Sequence, residues 1–235
     1  MLESTPNKNS RFFPDINSEA RKEMKFSPIE TEKFVLQAVR EDEWEDFYKL
    51  YSNPEIMELF DTGETYSKEK TRALVTEFAK AWRSKDFLAP LSIRNHKGEF
   101  LGFINLRHAP CKQPGQVEIG YMILKEHQGN NYGALAAKEV LRYLENLAKK
   151  GYLVKGAPLT TVLATVEPTN RPSLKVLKEI GLKEIEEGVW QRSGQPRRFF
   201  YKSLVALQAA DKFEFRPEEL FDDVEKIHIA IKPRL

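Results

Sequence analysis

Between Gln128 and Gly133 the chain reads Gln-Gly-Asn-Asn-Tyr-Gly, a short polar turn between an apolar strand and a long apolar-periodic segment. Small residues that open a helix aim its unpaired first-turn N–H groups at one point, and the helix dipole adds roughly half a positive charge there. That combination suits a phosphate or pyrophosphate. Gln128, Gly129, Asn130, Asn131, Tyr132, Gly133 and Ala134 are therefore the candidate anion-binding residues. A P-loop is excluded, because Gly129 is followed by Gly133-Ala134 with no lysine and no magnesium-binding hydroxyl. A dinucleotide fingerprint is excluded too, since it needs a third glycine and an acidic residue about 20 positions on. A strand–turn–helix with no ligand is the alternative for this stretch. Glu118 lies in the preceding strand, where burial would raise its pKa toward that of a general base. Simple hydrogen bonding or substrate contact is the equal alternative for that carboxylate. His108 is a second base candidate, set against the commoner solvated loop histidine. Asn170 and Ser173 bring an amide and a hydroxyl to the mouth of a second helix. The alternative for Ser173 is a hydroxyl that satisfies the local backbone.

Regular elements must hold these groups in place. Residues 117–124 alternate as a strand. A helix then starts near Ala134, repeats apolar residues at Ala137, Val140, Leu141, Leu144, Leu147 and Ala148, and stops at Gly151. Residues 160–166 form a further strand, followed by a helix that opens at Pro172 and ends at Gly181. Upstream, 34–39 reads as the first strand. Asp42 and Glu45 then make a capping-box-like start for a helix with Trp44, Phe47, Tyr48 and Tyr51 on one face. Such an aromatic stripe is expected to be core. Ser67 opens another helix with Leu74, Val75, Phe78, Ala81 and Trp82 facing inward. A hairpin of 91–94 and 100–106 turns through 95–98. The final hairpin, 184–191 and 198–203, carries Arg192, Arg197 and Arg198 around its tip, where solvated charge is the expected role and attraction of an acidic peptide the alternative. The tail alternates over 226–232 with Ile227, Ile229 and Ile231 on one face. A lone strand is unstable in water, so it must join an edge of the chain's own sheet or of a second subunit; the chain's own sheet is the expectation.

Composition narrows the class. At 235 residues, 41% hydrophobic and 31% charged, the chain suits one soluble domain with a substantial core. A net charge of +2 gives no argument for nucleic acid or a membrane surface. The single cysteine, Cys111, cannot form an internal disulfide, which suits a reducing cytoplasm. No apolar run is long enough to span a bilayer, and no metal site is expected, because His96, His108, His127 and His228 show no ligand spacing.

The turn 128–133 resembles motif A of the Gcn5-related N-acetyltransferases (GNAT), Gln/Arg-x-x-Gly-x-Gly/Ala, with Gln128 and Gly133 at its ends and Asn131 where the family usually has glycine. Asn is the non-Gly residue that best tolerates a left-handed backbone. Residues 167–182, Glu-Pro-Thr-Asn-Arg-Pro-Ser-Leu-Lys-Val-Leu-Lys-Glu-Ile-Gly-Leu, resemble motif B, with Leu182 in place of the usual Phe. Glu-Ile-Gly-Tyr at 118–121 and Val-Leu at 176–177 resemble most the RimJ/RimL-like ribosomal-protein branch. The resemblance implies an α/β (α+β) fold: a single domain whose mixed central sheet splays between its fourth and fifth strands, with flanking helices. It covers an acetyltransferase domain at 31–205, leaving an N-terminal extension at 1–30 and a C-terminal extension at 206–235 whose alternation predicts an added strand. It implies acetyl-CoA as co-substrate, its pyrophosphate on 128–134, its pantetheine arm read by Asn170, and its thioester carbonyl held by backbone N–H groups around Met122 and Ile123. Glu118 is the implied base. Leu177 stands where the wider family carries an acidic tyrosine, so Ser173 is the candidate to protonate the thiolate. The acceptor is an amine, a protein or peptide α-amine in the favoured reading and a small amine in the alternative. A CoA-binding module without turnover is the rival from another class. A monomer or homodimer is expected.

Overall fold

The computed structural model describes residues 25–60, 63–109, 113–185, 189–192, 195–204 and 224–227. Cys111, Arg11 to Phe13, the possible helix at 217–221 and residues 228–232 of the tail lie outside them. β1 (Ile29–Glu30) and β2 (Val35–Ala38) lead to α1 (Trp44–Tyr51), α2 (Pro54–Met57) and α3 (Lys68–Arg83). Then follow β3 (Leu91–Arg94), β4 (Phe100–His108), β5 (Gln116–Ile123) and α4 (Tyr132–Lys149). The short pair β6 (Leu153–Val154) and β7 (Ala157–Pro158) precedes β8 (Thr161–Val166) and α5 (Arg171–Glu179). β9 (Lys183–Glu184), β10 (Val189–Arg192), β11 (Gln195–Ser203) and β12 (Val224–Ile227) complete the order.

The main sheet runs β1-β2-β3-β4-β5-β8-β11-β10-β12, with β9 also on β11. Neighbours are antiparallel except β5 and β8, which are parallel. A parallel pair needs a crossover, and the α4 segment supplies it. One sheet face buries Ile93, Ile104, Val117, Ile119 and Ile123 against Ala137, Val140, Leu144 and Leu177 of α4 and α5. The opposite face buries Phe100, Phe103 and Met122 against Phe47, Leu50 and Val75 of α1 and α3. Phe47 and Phe103 are fully buried with ring centroids 5.0 Å apart, which assigns the aromatic stripe to core. Burying each such ring stabilises by roughly 2–3 kcal/mol. Among the described residues, no helix is long and apolar enough to cross a membrane, and no group of three or more potential ligands forms a metal site.

Several expectations shift. The loose extension over 1–30 ends sooner: β1 pairs β2, and Phe26 packs on Trp82 at 4.6 Å. The cap before α1 is not Asp42 with Glu45. Buried Glu43 accepts the Arg40 backbone N–H at 3.0 Å and also binds Gln37 Nε2 and Arg94 Nε, each at 3.0 Å. The last hairpin is tighter than expected, with Arg192 opposite Gln195 and Pro196 inside the strand. The tail strand covers 224–227 rather than starting at 226, and it does add to the chain's own sheet, antiparallel to β10.

Candidate active site

Asn131 has φ 66° and ψ 12°, the left-handed conformation expected from its place in the turn. α4 starts at Tyr132, two residues before the expected Ala134, and runs for 18 residues. Its first backbone bond is Leu135 N–H to Asn131 C=O at 3.1 Å. The N–H groups of Tyr132, Gly133 and Ala134 therefore have no partner within the helix. No side chain caps this end and no acidic residue stands in its first turn. Gln128 Nε2 donates to Ile123 C=O at 3.0 Å, and Asn130 Nδ2 to His127 C=O at 3.2 Å. These two side chains shape the turn, while Gln128, Gly129, Asn130 and Asn131 are exposed. The donors present fit a pyrophosphate.

Beside this turn the sheet opens. β5 pairs β8 only through Gln116, Val117 and Glu118, opposite Thr161, Val162 and Leu163. Beyond Glu118 no pairing to β8 continues, although β5 runs on to Ile123. Leu124 N–H bonds Leu101 C=O at 2.9 Å on the β4 side. Strand alternation then turns the Met122 N–H toward β4, and those of Tyr121 and Ile123 into the gap. The expected donors need this correction: Ile123 faces the gap, Met122 does not, and Tyr121 takes its place. Met122 contributes its side chain to the core with α1 and α3.

The Tyr121 side chain was not anticipated. Its hydroxyl is hydrogen-bonded to Ser173, and burial pushes its pKa up, so it keeps its proton. Its ring lies over the start of α4, where a Cβ on Gly133 would come within 2.6 Å of Cε2. Gly133 is thus required by the packing of the protein itself. Asn170 caps α5, its Oδ1 accepting the Ser173 N–H at 3.1 Å. That interaction commits the oxygen of the amide expected to read the pantetheine arm. Alternation along β5 from the apolar residues Val117 and Ile119 was the signal that would have placed Tyr121 on the α4 face.

On the opposite face Glu118 is 5% exposed. Arg107 Nη2 reaches its Oε2 at 2.9 Å, Arg192 Nη1 its Oε1 at 2.9 Å, and Thr165 Oγ1 its Oε1 at 3.2 Å. Burial alone would push the carboxyl pKa up, but the two guanidinium groups outweigh it and hold the carboxyl below its usual range. The expected raised pKa is therefore corrected, and with it the poise of Glu118 as a general base. Arg192 is corrected as well: it is 9% exposed and reaches into the site rather than standing at a solvated tip. Arg107 stands opposite Glu118 across the β4–β5 pair, one residue beyond the expected strand end at 106. His108, the next residue on β4, projects from the other side of that strand and bonds Asp86 at 3.0 Å. It does not meet the Glu118 cluster.

A cavity of about 830 Å³ lies between α3 and this face, lined in part by Tyr66, Phe78, Asn105, Glu118, Gly120 and Thr165. Gly120 on β5 and Thr165 on β8 carry it to the gap between those strands. The fold thus sets an anion turn, a gap and a side cavity in sequence along β5.

The Acetyltransferase (GNAT) domain family matches residues 33–183. An uncharacterized N-acetyltransferase of Bacillus subtilis, YoaA, is 24% identical over 178 residues, which cover 76% of this chain and 90% of that protein. RimL, a ribosomal L7/L12 α-N-protein acetyltransferase in complex with coenzyme A, superimposes with a TM-score of 0.59 at 16% identity, over 75% of this chain and 98% of that one. A spermidine N-acetyltransferase from Vibrio cholerae in complex with CoA and spermine does so with a TM-score of 0.58 at 16% identity, over 74% of this chain and 97% of that one. The family match spans more than half of the chain, which belongs to the GNAT family of N-acetyltransferases.

Proposed function

We propose that the chain transfers an acetyl group from acetyl-CoA to an amine, most directly the α-amine of a protein or peptide. The observation that carries the reading is the uncapped N-terminus of α4, opened by left-handed Asn131 beside the gap after Glu118. Gln128 to Ala134 would hold the pyrophosphate on backbone N–H groups. The pantetheine arm would run along the gap past Asn170, toward the cavity at Gly120. Acetyl-CoA supplies an activated acyl group on sulfur. The Ile123 and Tyr121 N–H groups, which face the gap, would donate to the carbonyl oxygen as charge develops there. Ser173, backed by the Tyr121 hydroxyl, would relay a proton from water to the departing thiolate. Glu118 positions Arg107 and Arg192 rather than taking the amine proton, which passes to water through the cavity.

The α-amine assignment is supported by the Glu-Ile-Gly-Tyr wording at 118–121, and RimL is one of the structures that share this fold. In this reading 31–205 is the acetyltransferase unit, 206–235 an extension whose strand β12 joins its sheet, and the setting cytoplasmic. Thiol release from acetyl-CoA, measured against a panel of peptides and small amines with mass analysis of the product, tests it. The expected product is a peptide acetylated at its α-amine. CoA binding with no thiol release for any amine would instead make the chain a CoA-binding module.

A further inference from the structure

The apolar residues of α3 divide between two environments. Val75 and Ala79 are buried in the core, while Leu74, Phe78 and Ala81 line the cavity. Leu74 and Phe78 are only half-buried, and so are Phe60 and Tyr66, which line it too. These four side chains pack against the buried cluster that holds Phe47, Tyr51, Phe103 and Met122. The ring centroids of Phe78 and Phe47 are 6.0 Å apart, and Tyr66 stacks on Tyr51 at 5.1 Å. The core thus fixes one side of each, and part of their surface stays unburied along the cavity wall. Apolar surface held in that state favours an apolar occupant.

The register of β4 and β5 places this apolar end relative to the gap. Phe103 stands opposite Met122, Asn105 opposite Gly120 and Arg107 opposite Glu118, all on the face toward α1 and α3. Each step of two residues advances about 7 Å along the strand. The apolar end therefore begins one step from Gly120, and the Glu118 cluster lies one step away in the other direction. Gly120 leaves the step between open: a Cβ there would meet only Asn105 Cβ, at 4.0 Å. An amine brought to the gap at Gly120 has an apolar wall within one such step. From their own α-nitrogen, Phe, Leu and Met side chains span that distance, while those of Ala and Ser stop short.

We propose, resting on the acetyl-transfer reading, that the acceptor is a peptide or protein N-terminus whose first residue carries a large apolar side chain, seated against Phe60, Leu74 and Phe78 with its α-amine at Gly120. The nitrogen bonds to the acetyl carbon as the carbon–sulfur bond breaks. The nitrogen's proton leaves to water, and the thiolate gains one from water through Ser173.

The test is thiol release with peptides that differ only in their first residue, Phe, Leu or Met against Ala, Ser or Gly. Phenethylamine and ethylamine, at equal concentrations of neutral amine, form a second arm. The large apolar residue is expected to exceed Ala in kcat/KM by roughly tenfold, chiefly through KM. In Leu74→Gln the Phe-to-Ala ratio should fall to within about twofold; Leu74 is half-buried and Gln suits a helix, so the fold tolerates the change. Phe60→Ala, outside that helix, is the second variant. A ratio that persists in the folded variants marks general adhesion of apolar peptides and overturns the proposal. Equal rates in the wild type, or preference for Ser or Gly, overturn it and leave acetyl transfer standing. Preference for phenethylamine with none among the peptides would give the seat to a small amine and overturn the peptide assignment. If first residues make no difference and hexanoyl-CoA outpaces acetyl-CoA on the Ala peptide, the apolar end holds the donor's chain instead. Should no amine release thiol, calorimetry of the Phe and Ala peptides on the CoA-loaded protein decides. Tighter binding of the Phe peptide, lost in Leu74→Gln, upholds the seat, equal binding overturns it, and the missing turnover counts against acetyl transfer alone.

Discussion

One strand, β5, carries two environments. Glu118, Gly120 and Met122 face α1 and α3, while Ile119, Tyr121 and Ile123 face α4 and α5. On the first face a buried carboxylate is saturated by two arginines and borders a cavity. On the second, a phenol and a serine hydroxyl meet beside an uncapped helix end. Alternation with period two keeps the arginine-bound carboxylate and the Tyr121 hydroxyl within one strand, yet separates them by the sheet itself. Burial alone does not mark function here. Glu43 is also buried, at 3% exposure, and also binds an arginine, Arg94, but it is not among the cavity-lining residues.

The largest expected effect comes from breaking the first face. Glu118→Gln removes a buried charge and leaves Arg192 without its ion-pair partner there, which should destabilise by about 3 kcal/mol. Glu43→Gln should reduce stability by a similar order. Only the Glu118 change should also lower kcat/KM per folded molecule, because Glu118 holds Arg107 and Arg192 in the cavity lining, while Glu43 holds Arg94 outside it. Equal activity in both variants, after correction for the folded fraction, would remove the Glu118 cluster from the site. The pH dependence sharpens this. The folded carboxyl pKa lies below its unfolded value of roughly 4.3, so its stabilisation is complete above that value and fades as pH falls through the folded one. The Tm gap between wild type and Glu118→Gln should therefore narrow on acidification below about pH 4. A gap that stays constant to pH 2 contradicts the lowered pKa.

On the second face, Gly133→Ala puts a Cβ into the Tyr121 ring at 2.6 Å, and overpacking of this kind costs about 1–3 kcal/mol. Tyr121→Ala should relieve it, so the double variant should be more stable than the sum of the two singles predicts. Additive losses in thermal denaturation would show that the ring and Gly133 do not meet in solution.

How much of this was legible follows from sequence distance. The turn, the helix start and the left-handed Asn131 were readable because each is fixed by neighbours within a few residues. Arg107 and Glu118, 11 residues apart, are joined by a hairpin register that the sequence only approximates. Arg192 lies 74 residues from Glu118, and no local pattern connects a hairpin tip with a distant strand. The raised pKa expected for Glu118 failed for this reason: burial was foreseen, its two cationic partners were not. The tail strand was recognised by alternation, but its bounds follow pairing with β10, which sets Val189 opposite Ile227.

Ser173→Ala tests the proton-donating pair directly. It should lower kcat by roughly tenfold, equivalent to about 1.4 kcal/mol, with little change in CoA affinity. If Tyr121 acts through Ser173, Tyr121→Phe should add little to Ser173→Ala. Full multiplication of the two losses would make the hydroxyls independent.

The smallest effect belongs to the turn that both faces share. Asn131 sits at φ 66° as the residue before α4, where a β-branched side chain crowds the backbone and an amide does not. Asn131→Gly should leave Tm nearly unchanged and CoA affinity equal or slightly higher, since glycine reaches this conformation without strain. Asn131→Val should cost about 1 kcal/mol and weaken CoA by a few fold, as the first N–H groups of α4 lose their common aim. The residue is exposed, so packing loss does not confuse the comparison. Calorimetry on the Gly and Val variants measures the difference between them. Identical CoA affinity in both would mean that the left-handed turn serves the helix start alone, and that the pyrophosphate is held elsewhere along the gap.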